Sequence, residues 1–362
     1  MKVNGARVER LAGLMEERGL DRMLITNLTN VRYLCGFTGT NGVCLIGGGE
    51  PIFFTDFRYV ERARREVPEF ERIKGKQDLL GDVARVIEER TSGELRIGFE
   101  EDNVTVARHA RLRELLPERA ALVGERGLVE RLRAVKDGDE QRAIRGATEL
   151  ADELYRWLAE EHGLVGKEER EVARALERRA QDLGAERVSF PPIVAAGPNG
   201  ALPHADPGEA VIERGTLVVV DAGCMVDGYC SDCTRTFATG ELDGETRDVY
   251  EVVRSAQAEA LAAVRAGAEA EAVDGIARAR IAGAGWGEEF GHGLGHGVGM
   301  EVHEAPRLGV GSKERLEAGN VVTVEPGVYV PGRFGVRIED LVIVRDGECE
   351  VLTTPPKELT VL

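Results

Sequence analysis

Apolar residues recur along this chain in two periods, and the alternation between them lays out the elements. Residues 4–19 place Val8, Leu11, Leu14 and Met15 on one helical face, and Gly19 closes the segment. Short apolar or β-branched runs at 22–26, 42–46 and 51–55 predict strands, followed by a helix from about Arg58. The alternation continues through a strand at 96–99 and a helix at 104–115. Around residues 128–139 the composition turns charged, and the polar run Lys136-Asp-Gly-Asp-Glu140 precedes a long helical pattern ending near Trp157. This shift predicts two domains, residues 1–131 and 132–362. In the second, a helix at 168–183 leads through S-F-P-P-I-V-A-A-G-P-N-G to an apolar run. A helix from Asp243 through Val264 and another near 273–282 then lead through a glycine-rich segment to a second apolar run.

The two apolar runs are copies of one another. T-L-V-V-V-D-A-G-C-M-V (216–226) aligns with N-V-V-T-V-E-P-G-V-Y-V (320–330) at a constant offset of 104, which sets Asp221 on Glu325, Gly223 on Gly327 and Val226 on Val330. A second acid follows each run, Asp232 in the first copy and Glu339 in the second. A buried strand should not end in an unpaired carboxylate, because desolvating the charge is costly unless a cation or hydrogen-bond donors meet it. Four such acids on two related hairpins point to a shared cation site. F-G-H-G-L-G-H-G-V-G-M-E-V-H-E (290–304) supplies imidazoles, with His292, His296 and His303 among the six histidines of the chain. Glycine on both sides of His292 and His296 lets backbone approach a site closely and adopt positive φ. His204 precedes Asp221 by 17 residues and His303 precedes Glu325 by 22, so each half carries one histidine at a corresponding point. An internal duplication of this kind predicts a cleft on a pseudo-twofold axis.

Composition narrows the chemistry. A chain of 362 residues with 43% hydrophobic and 5% aromatic residues fits a globular protein that needs no disulfide staples. The net charge of −17 comes with no basic run, which argues against a nucleic acid or an anionic membrane as partner. No N-terminal signal region and no apolar run of 18 residues is evident, so the expected compartment is the cytoplasm and the six cysteines are expected to be reduced. Cys230 and Cys233 form a C-x-x-C without a second pair and read as strand packing. The chain has no G-x-G-x-x-G and no G-K-S or G-K-T for nucleotide phosphates, and His303-Glu304 lacks the second histidine of H-E-x-x-H.

D-A-G with S-D-C-T-R-T-F, G-H-G-L-G-H-G-V-G-M-E-V-H-E, T-V-E-P-G and V-R-I-E-D, in that order, resemble the aminopeptidase P/prolidase family. The resemblance covers about 132–362. F-T-G-T-N-G and T-D-F-R-Y make residues 1–131 similar to that family's creatinase-like N-terminal domain. It implies an α/β (α+β) architecture: a pita-bread catalytic domain with an internal pseudo-twofold repeat, shared with methionine aminopeptidase, behind a smaller α/β domain. By residue, it implies that Asp221, Asp232, His296, Glu325 and Glu339 bind two divalent metal ions, with Asp232 and Glu339 bridging both. His204, His303 and Arg337 match positions that contact the substrate or support the site. Four carboxylates and one imidazole suit Mn(II) or Co(II) better than a structural zinc, which favours thiolates and tetrahedral closure.

The resemblance further implies hydrolysis of the bond before proline in a di- or oligopeptide, with Glu325 as general base and His303 and His204 stabilising the oxyanion. Arg337 is expected to help hold a substrate carboxylate. A compact N-terminal domain leans toward an Xaa-Pro dipeptidase, with aminopeptidase P as the close rival. It also implies a homodimer in which the N-terminal domain of a neighbouring subunit covers the far end of the cleft. Two alternatives use the same fold: a C–N hydrolase of a small metabolite, and a non-enzymatic binding module. Filled ligand positions argue against the second.

Overall fold

The computed structural model describes residues 5–76 and 78–362, and the chain divides after Arg133 into two compact units. The expected start of the first helix at residue 4 lies outside the described residues. From Gly5 the helix runs to Glu17 and buries Leu11 and Met15. The first unit is built on a six-stranded sheet with the order Glu71–Lys74, Ile52–Thr55, Gly42–Ile46, Arg22–Ile25, Leu95–Glu100, Ala120–Glu125. Strands Gly42–Ile46 and Ile52–Thr55 are buried at every position, which explains their unbroken apolar runs. The edge strand Glu71–Lys74 is instead charged and alternates between half-buried and exposed positions, so it offers a poor template for a further strand.

The helix Leu28–Cys35 has no counterpart in the sequence reading. Asn27 caps it by accepting from the Thr29 N–H, and Gly36 ends it at φ 79°. Five of its eight residues are buried, and about two turns are too short for an apolar period to stand out in the sequence. Its buried Asn30 donates to Glu100 Oε1 at 2.7 Å, and Glu100 Oε2 accepts from the backbone N–H groups of Thr26 (2.6 Å) and Asn27 (2.7 Å).

In the second unit, each half stacks a pair of helices on a sheet. Helix Gly138–Trp157 begins in a capping box between Asp137 and Glu140, the polar run that marked its start, and packs with Glu169–Asp182. Their sheet has the order Thr234–Ala238, Leu217–Asp221, Ile193–Ala196. The second half pairs helices Gly244–Leu261 and Ala270–Gly283 with a five-stranded sheet, in the order Glu304–Leu308, Gly295–Gly297, Val321–Val324, Asp340–Ile343, Glu350–Val351. Each half has its own apolar core, one around Val218, Val220 and Leu176 and the other around Val253, Val322 and Val342.

The repeat seen in the sequence is a repeat of pairing. Val220 lies opposite Arg235 in the first half, and Val324 lies opposite Asp340 in the second. These two return-strand residues meet at the seam, where Arg235 Nη2 lies 2.8 Å from Asp340 Oδ1 with both side chains almost wholly buried. Arg235 also donates to the Glu339 carbonyl, and the Glu339 N–H donates to the Thr234 carbonyl at 3.1 Å. Asp340 further accepts from Thr353, Gln257 and Lys357.

Removing one member of a buried ion pair leaves the other charge desolvated and unpaired, at a cost of about 3–5 kcal/mol. Asp340→Ala is therefore expected to destabilise the second unit by about that much. Both tryptophans, Trp157 and Trp286, lie in this unit, so urea unfolding followed by tryptophan fluorescence reads it selectively. A loss under about 1 kcal/mol would show that the seam does not depend on the pair.

Candidate metal centre

The two hairpins deliver their acids to one place for different local reasons. In the first half, Asp221 ends strand Leu217–Asp221, and the chain then detours through the small hairpin Cys224–Val226 and Tyr229–Cys230. That hairpin turns on Asp227 and Gly228 at φ 51° and 82°, the conformation of a tight two-residue turn. A Cβ on Gly223 would lie 2.0 Å from the Ser231 carbonyl oxygen, so only glycine lets the chain fold back and set Asp232 beside Asp221. In the second half, Glu325 directly follows strand Val321–Val324, and Glu339 directly precedes Asp340–Ile343.

His296 sits in the three-residue strand Gly295–Gly297, squeezed between two neighbours. A Cβ on Gly295 would fall 2.1 Å from the Thr323 carbonyl oxygen, and one on Gly297 would fall 2.1 Å from that of Ala305. Close approach is thus the reason for these glycines. The expectation of positive φ is corrected: no glycine between 291 and 299 adopts it.

A cleft of about 630 Å³ is lined by Asp221, Asp232, His296, Glu325, Glu339, His204, His303 and Arg337, so all eight residues that the resemblance assigned to the site face one space, and His292 lines it as well. Asp232, His296 and Glu339 each present a ligand-type atom, all within 4.8 Å of one another. His296 Nε2 lies 3.2 Å from Glu325 Oε1 and 3.7 Å from Asp232 Oδ2. The His296 and His303 rings meet edge to face at 4.3 Å between centroids. His204 is exposed on the cleft wall.

Arg337 is 4% exposed and spends its donors inside the protein. Nε donates to Thr234 Oγ1, Nη1 to the Pro203 carbonyl and Tyr329 Oη, and Nη2 to Asp221 Oδ2 at 2.8 Å. Tyr329 Oη also meets His292 Nε2 at 2.9 Å. The other guanidinium on the cleft wall, Arg307, makes no side-chain hydrogen bond among the described residues, while its backbone N–H donates to Glu314. Tyr329 and Arg307 were not found from sequence. Tyr329 lay within the second apolar run with no role of its own, and nothing local distinguishes Arg307 from the chain's other arginines.

The electrostatics are those of a site built for positive charge. Burial, then the neighbouring Glu339, Asp221 and Glu325 charges, hold the Asp232 carboxyl well above the usual range. Burial and the same crowding raise Glu339. Burial also raises Asp221, although Arg337 opposes it. For Glu325 burial again pushes upward, but the hydrogen bond and charge of His296 win and its carboxyl is lowered. Burial lowers His303 and His292. Four carboxylates this close cannot all ionise without cations among them. Asp221 Oδ1 is buried with no hydrogen-bond partner among the described residues, an orphan of the kind a metal ion satisfies. The donor set is rich in oxygen and has no thiolate, which fits hard or borderline divalent ions. The residues present therefore fit the metal.

Residues 142–346 match the description "Metallopeptidase family M24", and residues 7–135 match "Creatinase/Prolidase N-terminal domain". An Xaa-Pro dipeptidase of Pyrococcus furiosus is 34% identical over 98% of this chain and 99% of its own length. Among solved structures, an Xaa-Pro dipeptidase from Bacillus anthracis superposes with a TM-score of 0.95 at 39% identity, over 99% of both chains. An X-Pro aminopeptidase from Thermotoga maritima superposes with a TM-score of 0.90 at 35% identity, over 98% of this chain and 99% of that one. With its pita-bread catalytic unit and creatinase-like N-terminal unit, this chain belongs to metallopeptidase family M24 and is a peptidase.

Proposed function

We propose that this peptidase is an Xaa-Pro dipeptidase that works with two divalent metal ions, Mn(II) or Co(II). The observation that carries the metal reading is the convergence of Asp232, His296 and Glu339 within 4.8 Å beside the orphaned Asp221 oxygen. Asp232 and Glu339 would be shared by both ions, with Asp221, His296 and Glu325 completing the set. When bound, such ions act as Lewis acids and lower the pKa of coordinated water from about 15.7 to roughly 7. Glu325 takes the proton from the attacking water and passes it to the proline nitrogen as the bond breaks. His303 and His204, on the cleft wall, hold the substrate carbonyl and stabilise the charge that develops on its oxygen.

Proline shapes the other demand. Its tertiary amide has no N–H, so the cleft must recognise a ring by shape at the scissile nitrogen. Phe190, Pro191, Ile193 and Val302 supply an apolar wall for that purpose. Dipeptide length is favoured by the guanidiniums. Because Arg337 is committed to Asp221, Tyr329, Thr234 and Pro203, Arg307 is, among the described residues that line the cleft, a guanidinium with no side-chain hydrogen bond and so available to a terminal carboxylate. The names of relatives at 33–34% identity, Xaa-Pro dipeptidases across nearly their whole length, support the same substrate class. We further propose a homodimer in the cytoplasm.

Replacing Asp232 or Glu339 by Asn or Gln removes charge from both ions at once, so turnover of Ala-Pro should fall to background and metal analysis should show at least one ion lost. Two ions retained with near-normal turnover would rule out the shared-ligand assignment. His303→Ala should keep both ions and lose about 10²–10³ in kcat, the usual cost of one oxyanion donor. Loss of metal in that variant would make His303 a ligand. Substrate length is tested with Ala-Pro, Ala-Pro-Ala and Ala-Pro-Ala-Ala at matched concentration. The dipeptide should give the highest kcat/KM, and Arg307→Ala should erase its advantage through KM. Longer peptides cleaved equally well by the wild-type protein would favour the aminopeptidase, and no turnover of any proline peptide by metal-loaded protein would favour a small-metabolite hydrolase.

A further inference from the structure

Two buried threonines are wired in the same way beneath the site. Thr234 Oγ1 accepts from Arg337 Nε–H at 3.0 Å, and its hydrogen lies toward Glu339 Oε2 at 2.8 Å. Thr323 Oγ1 accepts from the His296 backbone N–H at 3.0 Å, and its hydrogen lies toward Glu325 Oε1 at 3.1 Å. Both residues are fully buried, and neither lines the cleft. The direction of each relay is fixed by chemistry. An N–H cannot accept, so the hydroxyl oxygen takes the incoming bond and its single hydrogen turns to the nearest carboxylate oxygen, Glu339 Oε2 for Thr234 and Glu325 Oε1 for Thr323.

The surroundings preserve that arrangement. Thr234 stands opposite Asp221 in the strand pair, and its own carbonyl accepts from the Glu339 N–H at 3.1 Å, so backbone and side chain both hold Glu339. Thr323 is approached by Gly295, where a Cβ would lie 2.7 Å from the hydroxyl oxygen. The missing Cβ is what lets the His296 N–H reach it. One relay thus ties a cleft carboxylate to Arg337, and the other ties a cleft carboxylate to the strand that carries His296.

We infer that Thr234 and Thr323 are positioning residues, whose hydroxyls fix the rotamers of Glu339 and Glu325 so that their remaining lone pairs face the metal ions. Each hydroxyl supplies a neutral donor, which orients a carboxylate without cancelling the charge that an ion needs. A lysine or arginine in the same place would orient it and compete with the metal. The inference rests on the assignment of Glu325 and Glu339 as ligands.

The test uses Thr234→Val and Thr323→Val, which keep volume and β-branching and remove only the hydroxyl, with Thr234→Ser and Thr323→Ser as conservative partners. Mn(II) alone is titrated into metal-stripped full-length protein by calorimetry, and kcat and KM for Ala-Pro are measured at saturating Mn(II). Residues that orient metal ligands typically contribute 10–100-fold in affinity or activity. Each valine variant should therefore bind Mn(II) about 10–100-fold more weakly, or lose kcat by that factor at saturation, with KM little changed because neither hydroxyl faces the substrate. Each serine variant should return close to wild type. Valine variants with wild-type Mn(II) affinity and kcat would overturn the inference, as would serine variants no better than valine, since the methyl group would then be what matters. Where a valine variant does not fold, the serine variant decides alone: wild-type affinity and kcat support the relay, and the loss of either overturns it. Wild-type protein that binds no Mn(II) would instead sink the metal assignment beneath it.

Discussion

The second unit is organised by the cost of burying negative charge. Asp232 and Glu339 are 4% and 1% exposed, and Asp221 and Glu325 lie against them. In the absence of cations that grouping is unfavourable, which the upward shift of three of the four carboxyls records. The protein offsets part of the cost itself. Arg337 neutralises one oxygen of Asp221, His296 lies against Glu325, and two hydroxyls donate to Glu325 and Glu339. The remainder, including the orphaned Asp221 oxygen, is unmet by the described residues, and on the proposed reading bound metal would offset it.

The first unit shows a buried carboxylate both of whose oxygens meet donors, although burial still raises it. Glu100 is also buried, but the backbone N–H groups of Thr26 and Asn27 and the amide of Asn30 meet both of its oxygens. Glu169, in the second unit, is fully buried and accepts from Ala196, Gly208 and Asn199, which fastens the segment that leads into His204. Donors close these acids off and make them structural. Around the cleft the donors are withheld from selected lone pairs, and that difference separates a fastening from a binding site.

Duplication explains how so costly a grouping is held in place. Each half contributes a strand that ends at an acid and a return strand that begins near one, and each half has its own core behind them. The return strands are joined by the Arg235–Asp340 pair, by the Thr234 carbonyl to the Glu339 N–H, and by Thr236 Oγ1 to the Arg337 carbonyl at 2.9 Å. The acids therefore stand on a seam between the two layers, Asp221 at the end of its strand and Asp232, Glu325 and Glu339 within two residues of a strand end, which limits how far each can move.

Much of this was legible in the sequence. The strands 42–46 and 51–55, the capped helix from Asp137, and the paired acids at an offset of 104 are local patterns, and local patterns follow from steric and burial preferences that act over a few residues. The repeat was informative because two copies at one register share one reason. Other features depended on residues brought together through space. Arg337 holds Asp221 from 116 residues away, and Thr234 holds Glu339 from 105 away, so neither contact leaves a mark in the neighbouring sequence. The helix Leu28–Cys35 escaped notice because its eight residues make only about two turns, too few for an apolar period to stand out. The glycines around His296 were visible as glycines, but their purpose was set by the carbonyl groups of Thr323 and Ala305. The sequence by itself determined which residues carry charge, where the more strongly patterned strands and helices lie, and that four acids belong together. Only the tertiary structure decided which lone pair of each acid is filled and which is left open, because that depends on donors that reach the site from distant strands.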